Sequence, residues 1–294
     1  MKILITGAHG QLGNELCSIL ASGKAEIGAI DGAYKDAQVT PADIGEFDIT
    51  DMASARAFIK DVMPDIIINC AAMTNVDGCE TDSETAFKVN AAGVRNLAIC
   101  AKEFGAKFIH VSTDYVFPGD GERPYREWDV VAPKSAYGAS KALGEKYALA
   151  FCDKTFVVRT SWLYGYIGKN FVKTVRRVIR ERGSITVVND QRGNPTNAND
   201  LAYHLLKIAL TEDYGIYHCT GEGECSWYEF AREIAKYSGY GEDSVLPCTS
   251  DEYKSPTKRP AYSSLDNLAL KCGAGNEMRD WQTALKEFIS KVED

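Results

Sequence analysis

Residues 1–20 read MKILITGAHGQLGNELCSIL. Lys2 to Thr6 is a short apolar run with strand character. From Gly10 to Leu20, apolar Leu12, Leu16, Ile19 and Leu20 recur at helical spacing and form one stripe. Between the two lie Gly7, Gly10 and Gly13, in the pattern GxxGxxG. One glycine permits a tight turn, a second lets backbone approach a pyrophosphate, and a third lets the helix pack on the strand. The helix N-terminus then presents unpaired N–H groups to an anion. A strand, a glycine loop and a helix in that order are the context that this motif requires.

The same alternation continues outward. Ala25 to Ile30 is a second strand candidate, weakened by Gly28. Asp51 caps a helix that runs to Met63 and stops before Pro64. Ile66 to Asn69 reads as a buried parallel strand. A helix is expected from Asn90 to Phe104, a strand from Lys107 to Val111, a helix from Ser135 to Phe151 and a strand from Phe156 to Arg159. Repeated β-α-β units predict an α/β fold with a doubly wound, Rossmann-type parallel sheet. After about Thr160 the regularity fades into helices at Asn170–Arg182, Asn197–Leu210, Trp227–Tyr237 and Asp280–Val292, joined by loops rich in Gly, Pro and Asn. This divides the chain into a dinucleotide-binding domain, 1–160, and a smaller α/β substrate-binding lobe, 161–294, with a segment near 194–219 returning to the first domain.

Composition sets outer limits. The chain has 294 residues, 45% apolar and 25% charged, which is ordinary globular material. Its 33 basic and 41 acidic residues leave a net charge of −8, which argues against nucleic acid or an anionic membrane as partner. No apolar run approaches the roughly 20 residues of a membrane-spanning helix. The N-terminus enters a strand without a signal-peptide pattern, so a cytoplasmic protein is expected. Nine cysteines lie without any CxxC spacing and read as buried, reduced thiols, and no metal site is expected.

Two constellations carry chemistry. Asp31 follows the second strand candidate, 18 residues beyond Gly13. At that place a carboxylate hydrogen-bonds ribose hydroxyls and repels a 2′-phosphate, which favours NADH over NADPH; a turn-forming aspartate is the competing reading. Asp48, before apolar Ile49, is a further candidate for the adenine end. Tyr137 and Lys141 form YxxxK, one face of a helix, where an ammonium lowers the phenol towards working pH and suits it to protonate a carbonyl oxygen. Tyr203 and Lys207 repeat the spacing, but with no polar loop feeding them they read as a solvated helix face. Thr113 lies 24 residues before Tyr137, at the carboxyl end of a strand, where open α/β sheets place ligands. Its hydroxyl suits the same carbonyl. For a phosphorylated substrate, Arg192 and Arg259 offer guanidinium forks in Pro/Gly-flanked loops, and a solvated surface role stands equally for each. Trp162 suits stacking on a sugar or base, or core filling. Asn170 opens a helix whose N–H groups suit phosphate. His9, His110, His204 and His218 read as structural.

GxxGxxG, the run Asn90 to Leu97, Thr113 and Tyr137/Lys141 together resemble the extended short-chain dehydrogenase/reductases. Within them Ser112–Gly119 (STDYVFPG), Arg159–Gly165 (RTSWLYG), Asn189–Thr196 (NDQRGNPT) and Arg259–Leu265 (RPAYSSL) resemble the dTDP-4-dehydrorhamnose reductase family. The resemblance covers essentially the whole chain. It implies hydride transfer from NADH or NADPH to C4 of dTDP-4-dehydro-L-rhamnose, giving dTDP-L-rhamnose. By position it makes Tyr137 the proton donor, Lys141 its partner and Thr113 the tuning hydroxyl. Gly10, Gln11 and Leu12 would meet the pyrophosphate, Asp31 the ribose, Asp48 and Ile49 the adenine. Ala71, Ala72 and Met73 would lie along the cofactor, and Asp114 and Trp162 would contact the sugar nucleotide. Some family members hold Mg²⁺ through carboxylates at a dimer interface; Glu15 is present, but its partners are not placed. Sugar 4,6-dehydratases carry an Asp-Glu pair after the threonine, whereas here it is Asp114-Tyr115, which argues against dehydration. An NDP-sugar epimerase, another nucleotide-sugar 4-ketoreductase, and a non-catalytic regulatory subunit like that of methionine adenosyltransferase remain as alternatives. A monomer or homodimer is expected.

Overall fold

Six strands build the main sheet of the computed structural model, which describes residues 1–253 and 256–292. They are β1 (Lys2–Thr6), β2 (Gln38–Ala42), β3 (Ile66–Asn69), β4 (Lys107–Thr113), β5 (Thr155–Thr160) and β6 (Gly215–His218). Their order is β6-β5-β4-β3-β1-β2, and every neighbouring pair is parallel. The chain thus winds one way from β1 through β3, β4 and β5, and the other way to β2, as a doubly wound sheet requires.

Of the long helices, α1 (Gln11–Ser22), α2 (Met52–Val62), α3 (Val94–Phe104), α4 (Ala136–Phe151) and α6 (Ala198–Ala209) cover the two faces, while α5 (Phe171–Arg182), α7 (Trp227–Tyr237) and α8 (Trp281–Lys291) lie in the carboxyl-terminal part. Alternation along each strand explains the two cores. Ile3, Ile5, Ile66 and Ile68 point to one face and pack with Leu12 and Leu16 of α1 and Leu201 and Leu205 of α6. Leu4, Ile67 and Phe108 point to the other and pack with Ile59 of α2 and Leu97 of α3. A third core lies in the carboxyl-terminal part, where Val172 and Val175 of α5, Phe230 and Ile234 of α7 and Phe288 of α8 meet.

Two sequence expectations need correction. Ala25–Ile30 is not a strand of this sheet: Lys24–Ala25 and Gly28–Ala29 pair antiparallel as a small hairpin, with Gly28 at φ 157°. The true second strand is Gln38–Ala42, half polar and interrupted by Pro41. Proline donates no N–H, so it disguises a strand in sequence, yet it is tolerated here because this strand is the sheet edge and pairs only with β1. The helix expected from Asn90 begins instead as a π turn, Lys88–Gly93, before continuing as α3. The nine thiols are free, but only Cys79, Cys100, Cys152, Cys219 and Cys225 are buried; Cys17, Cys70 and Cys248 are partly buried and Cys272 is exposed. Among the described residues no helix is long and apolar enough to cross a membrane.

A guanidinium helps to pin the carboxyl-terminal part to the sheet side. Arg279 donates to Asp200 of α6 at 2.6 Å and to Glu26 of the hairpin at 2.7 Å, and it also reaches Glu287 of α8. Asp200 is buried, whereas partly buried Glu26 keeps Lys291 and the Tyr166 hydroxyl, so removing Arg279 chiefly strands the Asp200 carboxylate away from water. Arg279→Met is expected to lower unfolding free energy by about 3 kcal/mol in urea titrations near neutral pH. The deficit should shrink in acid as the carboxylates protonate.

Candidate active site

At the carboxyl ends of β1, β3, β4 and β5 the chain leaves a cleft of about 660 Å³. The glycine loop forms one wall. Gly7 sits at φ +66°, and a Cβ there would stand 2.7 Å from the Ala71 nitrogen. A Cβ on Gly13 would stand 2.3 Å from the Gly7 carbonyl oxygen. Only side-chain-free backbone therefore lets strand, loop and helix come this close. Gly10, at the start of α1, supplies no capping side chain, so the first N–H groups of that helix have no side-chain acceptor. With Gln11 and Leu12 they face the cleft. This cradle fits a pyrophosphate.

The floor follows β3. The Thr6 hydroxyl donates to Asn69 Oδ1 at 2.6 Å, and the Ala71 N–H donates to the same oxygen, locking the ends of β1 and β3 together. Ala71 and Ala72 line the cleft. Met73 packs instead into a small cluster with Tyr137, and its backbone is clamped by Asn90, which accepts from its N–H at 2.8 Å and donates to its carbonyl at 3.0 Å. Asn90 also donates to Ser140 of α4. The π turn places this clamp, and sequence periodicity gave no sign of it.

Asp31 is not at the cleft. It is exposed and accepts from the Ala33 N–H, capping the turn Gly32–Tyr34 beside a separate groove that includes Tyr203 and Lys207. With β2 moved to residues 38–42, the acidic residue after the second strand is Asp43. It lines the cleft and accepts from the His9 N–H of the glycine loop at 3.3 Å. Asp48 and Ile49 also line it, with Asp48 accepting from the Thr50 N–H.

Opposite stands α4. Ser135 caps it by accepting from the Gly138 N–H at 3.1 Å. A Cβ on Gly138 would lie 2.1 Å from the Tyr115 carbonyl, so the helix start presses against the end of β4. Thr113, Tyr137 and Lys141 thereby meet in one cleft. Lys141 is buried and donates to the Val111 carbonyl at 2.6 Å. Burial pulls its ammonium down to about 8, against the opposing pull of Glu145 and Cys70. Tyr137 stands edge-on to Tyr115, with ring centres 5.5 Å apart. Burial pushes its phenol up, with the Thr113 hydroxyl opposing. The expected draw of the lysine on the phenol is not seen here: desolvation of a phenolate dominates, and the other groups acting on it are Thr113, Asp114, Tyr115 and Cys79. Thr113 donates to Asp114 Oδ1 at 2.8 Å. Burial raises the Asp114 carboxyl to about 6, and its Oδ2 has no protein partner.

Trp162, held at φ +46°, lies flat on Trp227 at 3.6 Å, and both line the cleft. Gly193 makes room: a Cβ there would stand 2.6 Å from the Trp162 ring. Trp227 escaped the sequence reading because it reads only as the first residue of an amphipathic helix. Two other candidates lie elsewhere. Asn170 caps α5 and donates to Gln11 Oε1 and the Gly165 carbonyl, outside the cleft lining. Arg192 is ion-paired with Glu224 at 3.1 Å and Glu229 at 3.4 Å, also off the cleft. Arg259 comes nearer, 3.5 Å from both the Tyr115 hydroxyl and Asp77.

Comparison with known proteins decides the family. The model of the RmlD substrate binding domain matches residues 1–293. The chain belongs to the RmlD family. Among its relatives, the spore coat polysaccharide biosynthesis protein SpsK of Bacillus subtilis is 40% identical over 99% of this chain and 97% of its own length. The crystal structure of a dTDP-4-dehydrorhamnose reductase from Clostridium acetobutylicum superposes with a TM-score of 0.92 at 44% identity, covering 99% of both chains. That of the Bacillus anthracis dTDP-4-dehydrorhamnose reductase in complex with NADP gives 0.92 at 38% identity, again over 99% of both. This RmlD-family chain thus shares whole-length architecture with a dinucleotide-bound reductase.

Gly13→Ala provides a direct check on the cradle. The added methyl must push the loop away from α1, so dinucleotide affinity is expected to fall at least tenfold in fluorescence titrations.

Proposed function

We propose that this chain is a reductase of dTDP-rhamnose biosynthesis that converts dTDP-4-dehydro-L-rhamnose to dTDP-L-rhamnose at the expense of a reduced nicotinamide dinucleotide. The observation that carries the reading is the convergence of Thr113, Tyr137 and Lys141 on the cleft walled by the glycine cradle, in a chain of this family. Bound NADH or NADPH supplies the hydride.

The rest is the work of the chain's own side chains. Tyr137 donates its proton to the C4 oxygen as negative charge develops there. A phenol held above its ordinary range stays protonated at neutral pH, which is the state a donor needs. Lys141, fixed by the Val111 carbonyl, stabilises the phenolate left behind. Thr113 gives the same oxygen a second donor once its hydroxyl proton turns from Asp114 to the substrate. Asp114 and the Trp162–Trp227 pair form the sugar-nucleotide side, with Arg259 as the nearest guanidinium for a phosphate. Asn170 and Arg192 fall out of this set, since their polar atoms already serve a helix cap and two carboxylates. Asp43 takes the ribose role first given to Asp31. Its carboxylate repels a 2′-phosphate, so NADH is preferred.

An assay of NADH and NADPH oxidation against dTDP-, UDP- and GDP-linked 4-keto sugars tests the reading. Turnover confined to the dTDP-4-dehydro-L-rhamnose arm is expected. Purified protein carrying oxidised dinucleotide that does not exchange would mark an epimerase instead. Tyr137→Phe should lower kcat by about 10²–10⁴-fold while leaving dinucleotide Kd within threefold; unaltered turnover would remove Tyr137 as the acid. Asp43→Ala should shift the ratio of kcat/KM values towards NADPH, whereas Asp31→Ala should leave it unchanged.

A further inference from the structure

Behind the cleft, away from its lining, lies a buried ion pair that the reaction does not touch. Glu145 of α4 and Arg159 of β5 are 4% and 1% exposed. Glu145 Oε1 accepts from Arg159 Nε at 2.9 Å and from the Ser112 hydroxyl at 2.5 Å, and Oε2 accepts from Arg159 Nη2 at 2.8 Å. Arg159 also donates to the Glu127 carbonyl, approaches His218, and lies over the Phe117 ring. Apolar side chains would hold such a place as well or better, because burying a charge pair costs about what its attraction returns. A site kept charged in the core invites a reason other than stability.

Position supplies one. Glu145 is four residues beyond Lys141, one turn along the same helix. Its hydrogen-bond partner Ser112 sits between Val111, whose carbonyl holds the lysine ammonium, and Thr113. Arg159 pairs with Ser112 in the β4–β5 register. We propose that Glu145, held by Arg159 and Ser112, is a positioning residue that keeps Lys141 protonated and aligned with Thr113 inside a dry site. Lys141 makes its hydrogen bond to a neutral carbonyl and forms no direct ion pair among the described residues, so an anion must act through space to offset its desolvation. The groups facing it are Tyr137 and Glu145 from its own helix, His110 from β4 and Cys70 after β3. Burial and Lys141 itself keep His110 neutral, and burial keeps the Cys70 thiol protonated. Glu145 is therefore the one carboxylate in this group, while Arg159 stands beyond it.

The inference rests on the reductase reading for its purpose, but its test does not. Carbon-13 labelling of lysine side chains lets Lys141 be titrated by NMR in the cofactor-free protein, with its signal assigned by its absence in Lys141→Met. In Glu145→Gln, which keeps the shape and loses the charge, the Lys141 midpoint is expected to fall by about one pH unit. The alkaline limb of kcat against pH should move down by the same amount, with dinucleotide Kd within threefold. If Gln leaves Arg159 stranded and the protein fails to fold, Glu145→Leu with Arg159→Met replaces the pair by apolar groups and gives the same readout. An unmoved Lys141 midpoint in either folded variant overturns the proposal. So does failure of both to fold, which would make the pair a folding element. A wild-type protein without reductase activity but with the expected shift would sink the functional reading alone.

Discussion

A lysine ammonium sealed at the carboxyl edge of a parallel sheet is the constraint around which the rest is arranged. Taking a charge out of water is costly, and the fold offsets that cost with a backbone carbonyl 2.6 Å away and a buried carboxylate one helical turn along. Holding the ammonium there sets where α4 can lie. Gly138 lets that helix press against the end of β4, and Ser135 starts it there. Tyr137 and Thr113 then come together in the cleft because a helix and a strand share a junction that a single methyl group would force apart.

The second wall depends on the same kind of economy. Gly7 and Gly13 bring strand, loop and helix closer than any side chain allows, and the N-terminus of α1 is left without a side-chain cap. A helix end of this sort is stabilised by an anion, so the feature that weakens the free protein locally is the one that suits it to a dinucleotide. Polar clamps carry this geometry across the sheet: Thr6 to Asn69, and Asn90 to Met73 and Ser140. They tie chain segments that are distant in sequence to one another beside the site.

Much of this was readable beforehand where a pattern is local. β1, α1 and its glycines, the Asp51 cap, Ile66–Asn69 and the Tyr137/Lys141 helix all declare themselves through periodicity or turn chemistry confined to a few residues. The failures share a cause. β2 is not legible because its pairing is with β1, 36 residues away, and Pro41 hides it; the acidic residue at its end is therefore Asp43 and not Asp31. Arg192 and Asn170 have suitable chemistry, but their partners, Glu224 and Gln11, are distant in the chain and satisfy them elsewhere. Trp227 looked like any aromatic on an amphipathic helix until Trp162 was found lying on it.

Sequence alone determined the fold class, the glycine loop between β1 and α1 and the placing of Tyr137 and Lys141 on one helix, since each follows from spacing within one or two elements. Only the tertiary structure decided which acidic residue follows the second strand, which arginine comes near the cleft, and which sign the shift of Tyr137 takes. Those questions turn on burial and on partners brought together from far along the chain, and neither desolvation nor long-range contact leaves a local mark in the order of residues.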